Sequence, residues 1–266
     1  MSKSRYEAAL EAVDLGQACL LGYFGKINHI EEKEKAGLVS EADRESESII
    51  QGHLAKCCPD VAFLGEESSF LENQELVRNF KGARWILDPL DGTTNFIHQF
   101  PIFCISLALE VDGVIEIGII DVPVLKQRWT AQRGKGVFCN GQPVKVSNTT
   151  EFSKSLLATG FSAVEPEFMS DQISIFSELV KEARGIRRAG AAAYDLALVS
   201  SGVFDLFWEK ELKPWDTAAG MLLIEEAGGI VRTYRGENHN PFDRTIVAGN
   251  PILVEKFLAK IKKLNL

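Results

Sequence analysis

The chain has 266 residues, 45% of them hydrophobic and 25% charged, with a formal net charge of −8. That size and composition admit one large domain or two intimate subdomains around a sizeable core. The acidic balance argues against a protein that grips nucleic acid by neutralising phosphates, and no apolar run approaches the roughly 18 residues that span a membrane.

The first stretch reads as an amphipathic helix over 4–24, not as a targeting segment. A second helix covers 41–57, with Ile49, Ile50 and Leu54 on one face. Between them "HIEEKEKAGLVSEAD" is charged and reads as an exposed loop or loose hairpin. "DVAFLGEESS" predicts a short buried strand running into an acidic turn, and 71–83 a short helix and loop. From 84 to 147 the pattern becomes strands: "RWILDP", "FCISLALEV", "VIEIGIIDVP" and "RWTAQRGKGVFCNGQPVKVS". Asp112 with Gly113 and Asn140 with Gly141 are strong hairpin signals, because both turn positions require positive φ.

The second half alternates strand and helix. "SLLATGF" predicts a strand, 166–184 a helix and "AGAAAYDLALVSSG" a closely packed helix of small residues. "VFDLFWEK" is a strand, and "PWDTAAGMLLIEEAGG" a helix closed by Gly228 and Gly229, with Asp216 placed as its N-cap. "IVRTY" and "TIVAGN" are strands, and 251–263 is the last helix. The expected class is α/β: an α+β N-terminal half built on a mostly antiparallel sheet, and an α/β C-terminal half. The whole is one domain over 1–266, with subdomains of about 1–145 and 146–266.

Five cysteines (Cys19, Cys57, Cys58, Cys104, Cys139) show no CxxC spacing. Their odd number fits reduced thiols in a cytoplasmic chain better than a disulfide framework. The four histidines form no metal-binding grouping, and there is neither a GxSxG elbow nor a Walker A loop.

Three acidic islands remain: "GEES" (65–68), "DPLDGTT" (88–94) and "PWDTAAG" (214–220). On a straight strand Asp88 and Asp91 would face opposite ways. Pro89 and Gly92 permit a bend after Asp88 that returns Asp91 towards it, with the Leu90 carbonyl between. Two carboxylates so close repel, and a hard divalent cation with oxygen ligands offsets that cost. Thr93 and Thr94 then open a helix whose N-terminus favours phosphate. Each island also has a plain structural reading. The second island can be a turn, Glu66 and Glu67 solvated acids, Asp216 only a cap, and Glu209 an exposed strand-end acid.

In order and spacing, "GEES", "WILDPLDGTTNF", "GIRRAGAAAYDLALV" and "FWEKELKPWDTAAGMLLIEEAGG" resemble the inositol monophosphatase family, within the Mg²⁺-dependent, lithium-sensitive phosphatases. The resemblance covers about residues 36–232 and implies a layered α-β-α-β-α sandwich of the sugar phosphatase type. It implies two or three Mg²⁺ ions on Glu66, Asp88, the Leu90 carbonyl, Asp91 and Asp216. Substrate phosphate would meet Asp91, Gly92, Thr93 and Thr94. Gly190, Ala191, Ala192, Glu209 and Asp216 would face the rest of the substrate. In the mechanism it implies, Glu66 orients the attacking water while Thr93, polarised by Asp43, takes a hydrogen bond from it. The expected reaction is hydrolysis of a small polyol or sugar phosphate, inositol 1-phosphate first. The same core suits histidinol phosphate, fructose 1,6-bisphosphate or 3′,5′-adenosine bisphosphate, and a non-catalytic binding role is the reading from another class. A phosphoaspartyl enzyme is disfavoured, because its DxDx[TV] spacing is two and here it is three. The resemblance further implies a homodimer; neither nucleic acid nor a membrane is expected as a partner.

Overall fold

Ser4 and Glu7 start the first helix by a reciprocal cap. The Ser4 hydroxyl accepts the Glu7 N–H at 3.2 Å, and the Glu7 carboxylate accepts the Ser4 N–H at 2.9 Å. The computed structural model describes residues 3–26, 30–33, 37–68, 78–161 and 169–264. Most of the helix and loop expected at 71–83 therefore lies outside the described residues. Helix α1 (Arg5–Tyr23) buries Ala8, Ala9, Ala12, Val13, Gly16 and Leu20. Its crossing with α2 (Glu41–Cys57) is so close that a methyl on Gly16 would stand 2.6 Å from Ile50 Cδ1. The charged segment between them takes the hairpin form, β1 (Ile30–Lys33) against β2 (Gly37–Ser40).

Seven strands then lie side by side in chain order: β3 (Ala62–Gly65), β4 (Ala83–Asp91), β5 (Cys104–Val111), β6 (Val114–Val122), β7 (Gln127–Gln132), β8 (Val137–Cys139) and β9 (Gln142–Pro143). The β3–β4 pair is parallel and the others are antiparallel. Both expected hairpin turns have positive φ at both positions, 50° and 85° at Asp112 and Gly113, 47° and 77° at Asn140 and Gly141. Helix α3 (Thr93–Ile97), between β4 and β5, is a single turn, so the dipole expected there is short.

The second half follows with β10 (Leu156–Thr159), α4 (Met169–Leu179), β11 (Gly185–Arg187), α5 (Ala192–Ser200), β12 (Leu206–Lys210), α6 (Pro214–Glu226), β13 (Ile230–Arg232), β14 (Thr245–Gly249) and α7 (Pro251–Lys263). Its five strands form a mixed sheet in the order β11-β10-β12-β14-β13. Two expectations change. The helix placed at 166–184 ends at Leu179, and residues 162–168 lie outside the described part. The arginine pair of "GIRRAG" begins in an unforeseen strand, three residues too short to show a period.

Three apolar clusters define the layers. Helices α1 and α2 cover one face of the seven-stranded sheet with Ala12, Leu20, Ile50 and Leu54 against Leu87, Ile105 and Leu107. Helices α5 and α6 fill the space between the sheets, where Leu196, Leu222 and Ile224 meet Ile86, Ile120, Phe207 and Ala248. Helices α4 and α7 close the far face with Ile175, Leu179, Leu253 and Phe257 on Trp208 and Val247. The order is the expected α-β-α-β-α. The "GKG" turn holds a carboxylate, not a phosphate: Gly134 and Gly136 N–H groups each donate at 2.8 Å to Glu226 at the end of α6.

Candidate active site

The two aspartates of the second island come together by a bulge. Asp88 pairs with Ser106 and Asp91 with Cys104, so three steps along β4 match two along β5. Ser106 and Cys104 share one face of β5, and the extra residue in β4 puts Asp88 and Asp91 opposite them on the same face. The strand therefore bulges where a turn was expected after Asp88, and the consequence of the turn is kept. The Leu90 N–H donates to Asp88 Oδ1 at 2.9 Å across the bulge, and Ser46 Oγ donates to the Pro89 carbonyl at 3.3 Å.

That face meets the start of α6, where Ser106 Oγ donates to the Trp215 carbonyl at 2.8 Å. Asp216 is not the N-cap as expected. Lys213 occupies that position, Pro214 follows at the first turn, and Asp216 at N3 accepts the Lys213 N–H at 2.7 Å.

Gly92 then turns the chain at φ 90°, in the left-handed region. A Cβ there would stand 3.0 Å from the Ile102 carbonyl and 3.3 Å from Ala191 Cβ, so glycine lets this turn lie against the loop before α5. Asn95 Nδ2 ties the same loop down, donating to Ile102 O at 2.6 Å and Ala189 O at 2.9 Å. Asp91 Oδ2 accepts the Ala193 N–H at 2.7 Å and so caps α5 from another strand. Thr93 Oγ1 lies 3.0 Å from Asp43 Oδ1 and 3.1 Å from the Leu90 carbonyl, and its one proton can go to either. Asp43 is buried and also accepts the Ser40 N–H at 2.8 Å and hydroxyl at 2.5 Å. Glu66 begins the turn after β3, with its N–H on the Leu87 carbonyl at 3.1 Å. Beneath that turn the buried Glu47 accepts the Glu67 N–H at 2.9 Å, in space that a side chain on Gly65 would fill.

The charges of Lys213 and Arg188 pull the neighbouring carboxyls down, but burial and the acids' mutual repulsion outweigh them, and the carboxyl pKa values record this. Burial pushes the Asp88 carboxyl well above its ordinary value, and the charges of Glu66, Asp91 and Asp216 add to the rise. Asp91 is pushed up to about 6, mainly by burial, against the opposing Ala193 N–H. Asp216 is pushed up to about 7 by burial and then by Asp91. Asp91 and Asp216 do keep accessible surface. It opens into a narrow concavity, so their ionised forms remain poorly solvated.

That concavity, about 140 Å³, is lined by Asp91, Gly190, Ala191, Ala192, Glu209 and Asp216, together with Thr159, Gly160, Arg188, Asp195 and Leu212. Two larger grooves, of about 670 and 510 Å³, lie over the C-terminal helix and beside Asp121; each holds two acids, and each sets basic side chains among them, four lysines in the first and Lys126 and Arg128 in the second. Glu209 is buried, not an exposed strand-end acid, and Thr94 is exposed on the outer side of its turn. Sequence reasoning missed Asp195, Arg188, Asn95 and Glu47. An acid inside the small apolar helix "AAAYDLALV" was the legible signal for Asp195; Asn95 and Glu47 carried none.

Among the described residues, no three His, Cys, Asp or Glu side chains are already drawn together as a finished metal centre. Several acid oxygens are turned to backbone N–H groups instead. The donor chemistry nevertheless fits a hard divalent cation. It consists of carboxylates and a carbonyl, with an excess of buried negative charge that a cation would relieve.

Oxygen donors of this kind, gathered at the edge of layered sheets beside a glycine turn, are the equipment of a phosphoric monoester hydrolase. The inositol monophosphatase family model matches residues 1–266, and the chain belongs to that family, which is generally metal-dependent. It is 39% identical over 229 residues to an inositol-1-monophosphatase of Synechocystis, covering 86% of this chain and 78% of that protein. It is also 39% identical over 235 residues to the Nus factor SuhB of Pseudomonas aeruginosa, covering 88% and 86%. The solved inositol monophosphatase of Anabaena superposes with a TM-score of 0.85 at 35% identity, over 97% of this chain and 95% of that one. Among the described residues no helix is long and apolar enough to cross a membrane.

Proposed function

We propose that this protein is a Mg²⁺-dependent phosphomonoesterase whose substrate is inositol 1-phosphate. The observation that carries the reading is that Asp88, Asp91 and Asp216, from β4 and α6, are brought so close that, beyond burial, their charges raise one another's pKa, with Asp91 and Asp216 opening into one cavity. Relatives named inositol-1-monophosphatase support the choice of substrate.

Glu66, Asp88, the Leu90 carbonyl, Asp91 and Asp216 would hold two or three Mg²⁺ ions. When bound, these ions supply the positive charge that phosphate ester oxygens need and make water more acidic. The chain's own residues do the positioning. The Thr93 hydroxyl donates its hydrogen bond to Asp43 or to the Leu90 carbonyl, which leaves a lone pair on Oγ1 to accept a hydrogen bond from the attacking water. Glu66 orients that water from the other side. The first N–H groups of α3 have no partner inside the helix, and with Gly92 they hold the phosphate oxygens in line for displacement. Gly190, Ala191, Ala192 and Glu209 face the departing alcohol.

The test is phosphate release from inositol 1-phosphate, histidinol phosphate, fructose 1,6-bisphosphate and 3′,5′-adenosine bisphosphate. Each is assayed with Mg²⁺, with chelator and with added lithium. Inositol 1-phosphate should be preferred, with turnover lost on chelation and inhibited by lithium. Chelator-resistant release, or preference for another member of the panel, contradicts the reading. We also infer a cytoplasmic homodimer, to which the five free cysteines lend support for the compartment. Within the single domain, the subdomain seam falls near 145, between the two sheets.

A further inference from the structure

Asp195 stands in the first turn of α5 with 2% of its surface exposed. An acid there ordinarily satisfies the helix's first N–H groups, but that place is taken, because Asp91 accepts the Ala193 N–H. Among the described residues no basic side chain forms an ion pair with it, although the Arg188 charge acts on it. Arg188, the cation in the same cavity wall, donates Nη2 to the Phe161 carbonyl at 3.1 Å. Asp195 Oδ1 is left buried without a hydrogen-bond partner. Native proteins keep few such atoms, because an unsatisfied buried acceptor is costly. This one belongs to a residue lining the cavity shared by Glu209, Asp91 and Asp216.

We propose that Asp195 is a specificity-determining residue whose carboxylate accepts a hydrogen bond from a hydroxyl of the substrate's alcohol. The site then selects hydroxyl-bearing phosphomonoesters over hydroxyl-free ones of similar size. The proposal rests on the phosphomonoesterase reading above and adds a residue that reads the leaving group. A carboxylate only accepts, so its missing partner is a donor. A neutral hydroxyl on the substrate's alcohol is such a donor; an ammonium is the other, and histidinol phosphate tells the two apart. A site built to bond a hydroxyl strongly rejects the analogue that lacks it, because its own polar group is then stranded.

The experiment compares kcat/KM for inositol 1-phosphate, cyclohexyl phosphate and histidinol phosphate in the Mg²⁺-loaded wild type, Asp195→Ala and Asp195→Asn. The ratio between the first two substrates should fall about tenfold or more in Asp195→Ala, mostly through KM for the inositol ester. It should fall less in Asp195→Asn, which keeps a carbonyl acceptor. A fold defect lowers all three substrates alike, so an unchanged ratio in both variants overturns the proposal. A selective loss on histidinol phosphate alone also overturns it, because the group read is then an ammonium. If the wild type fails on inositol 1-phosphate, the substrate reading falls instead. The Asp195 ratio is then taken between glycerol 2-phosphate and isopropyl phosphate, with the same two outcomes.

Discussion

Replacing Asp91 with asparagine will lower metal-supported phosphate release by more than about a hundredfold and leave the metal-free fold no less stable. Changes in groups that merely orient a metal ligand cost about 10- to 100-fold, and Asp91 is assigned to ligate directly and to adjoin the phosphate. The stability half of the result follows from the electrostatics. The Asp91 charge raises both Asp88 and Asp216, so removing it relieves two buried neighbours. Asparagine keeps a carbonyl oxygen for the Ala193 N–H that Asp91 now accepts at 2.7 Å. Single-turnover phosphate release and thermal unfolding in chelator measure the two halves. A variant that melts several degrees below the wild type in chelator would make Asp91 a structural residue first. A cellular role that survives this substitution would be separate from hydrolysis, and relatives named Nus factor SuhB make that worth examining.

The second large effect is a stability profile of inverted sign. Most carboxylates that are paired in the native state stabilise a protein as pH rises. Here the ordinary value is 3.8, while the folded protein holds Asp91 at about 6 and Asp216 at about 7. Between these limits the folded state keeps protons that the unfolded chain has released, so the metal-free protein loses stability as pH rises from about 4 to 7. For Asp91 alone, 3.8 to about 6 at about 1.4 kcal/mol per pH unit amounts to about 3 kcal/mol. The Asp216 contribution is not added, because the two groups share one field. Mg²⁺ acts in the opposite direction. At a hundredfold excess over its Kd, a single bound ion stabilises by about 2.7 kcal/mol, which is several degrees in Tm for a chain of this size. Unfolding followed from pH 5 to 8, with chelator and with Mg²⁺, should give curves that diverge as pH rises. Parallel curves would mean that the acids are not what the ion binds.

Much of the layered fold was legible because its signals are local. Positive-φ dipeptides fixed the two hairpins, and strand alternation fixed β4 to β7. The site was legible in part. The three acidic islands could be picked out, but not the way they meet. The shared face of Asp88 and Asp91 depends on a register shift against Ser106 and Cys104, a relation between strands that neither strand contains alone. Lys213, not Asp216, caps α6 because Pro214 fits the first helical position, three residues before the start that an Asp216 cap would give. Asn95 and Glu47 act on backbone groups of distant segments, the Ala189 carbonyl and the Glu67 N–H, and no spacing along the chain announces such contacts. Strand β11 is short and lies at the sheet edge, where pattern is weakest.

Anomalous diffraction from crystals soaked in Mn²⁺, a spectroscopic stand-in for Mg²⁺, reaches the acid cluster without passing through activity or stability. Peaks within bonding distance of Asp88, Asp91 and Asp216 oxygens, with Glu66 and the Leu90 carbonyl completing the shell, are the predicted result. A fully soaked crystal that diffracts well yet shows no anomalous density in this hollow would contradict it.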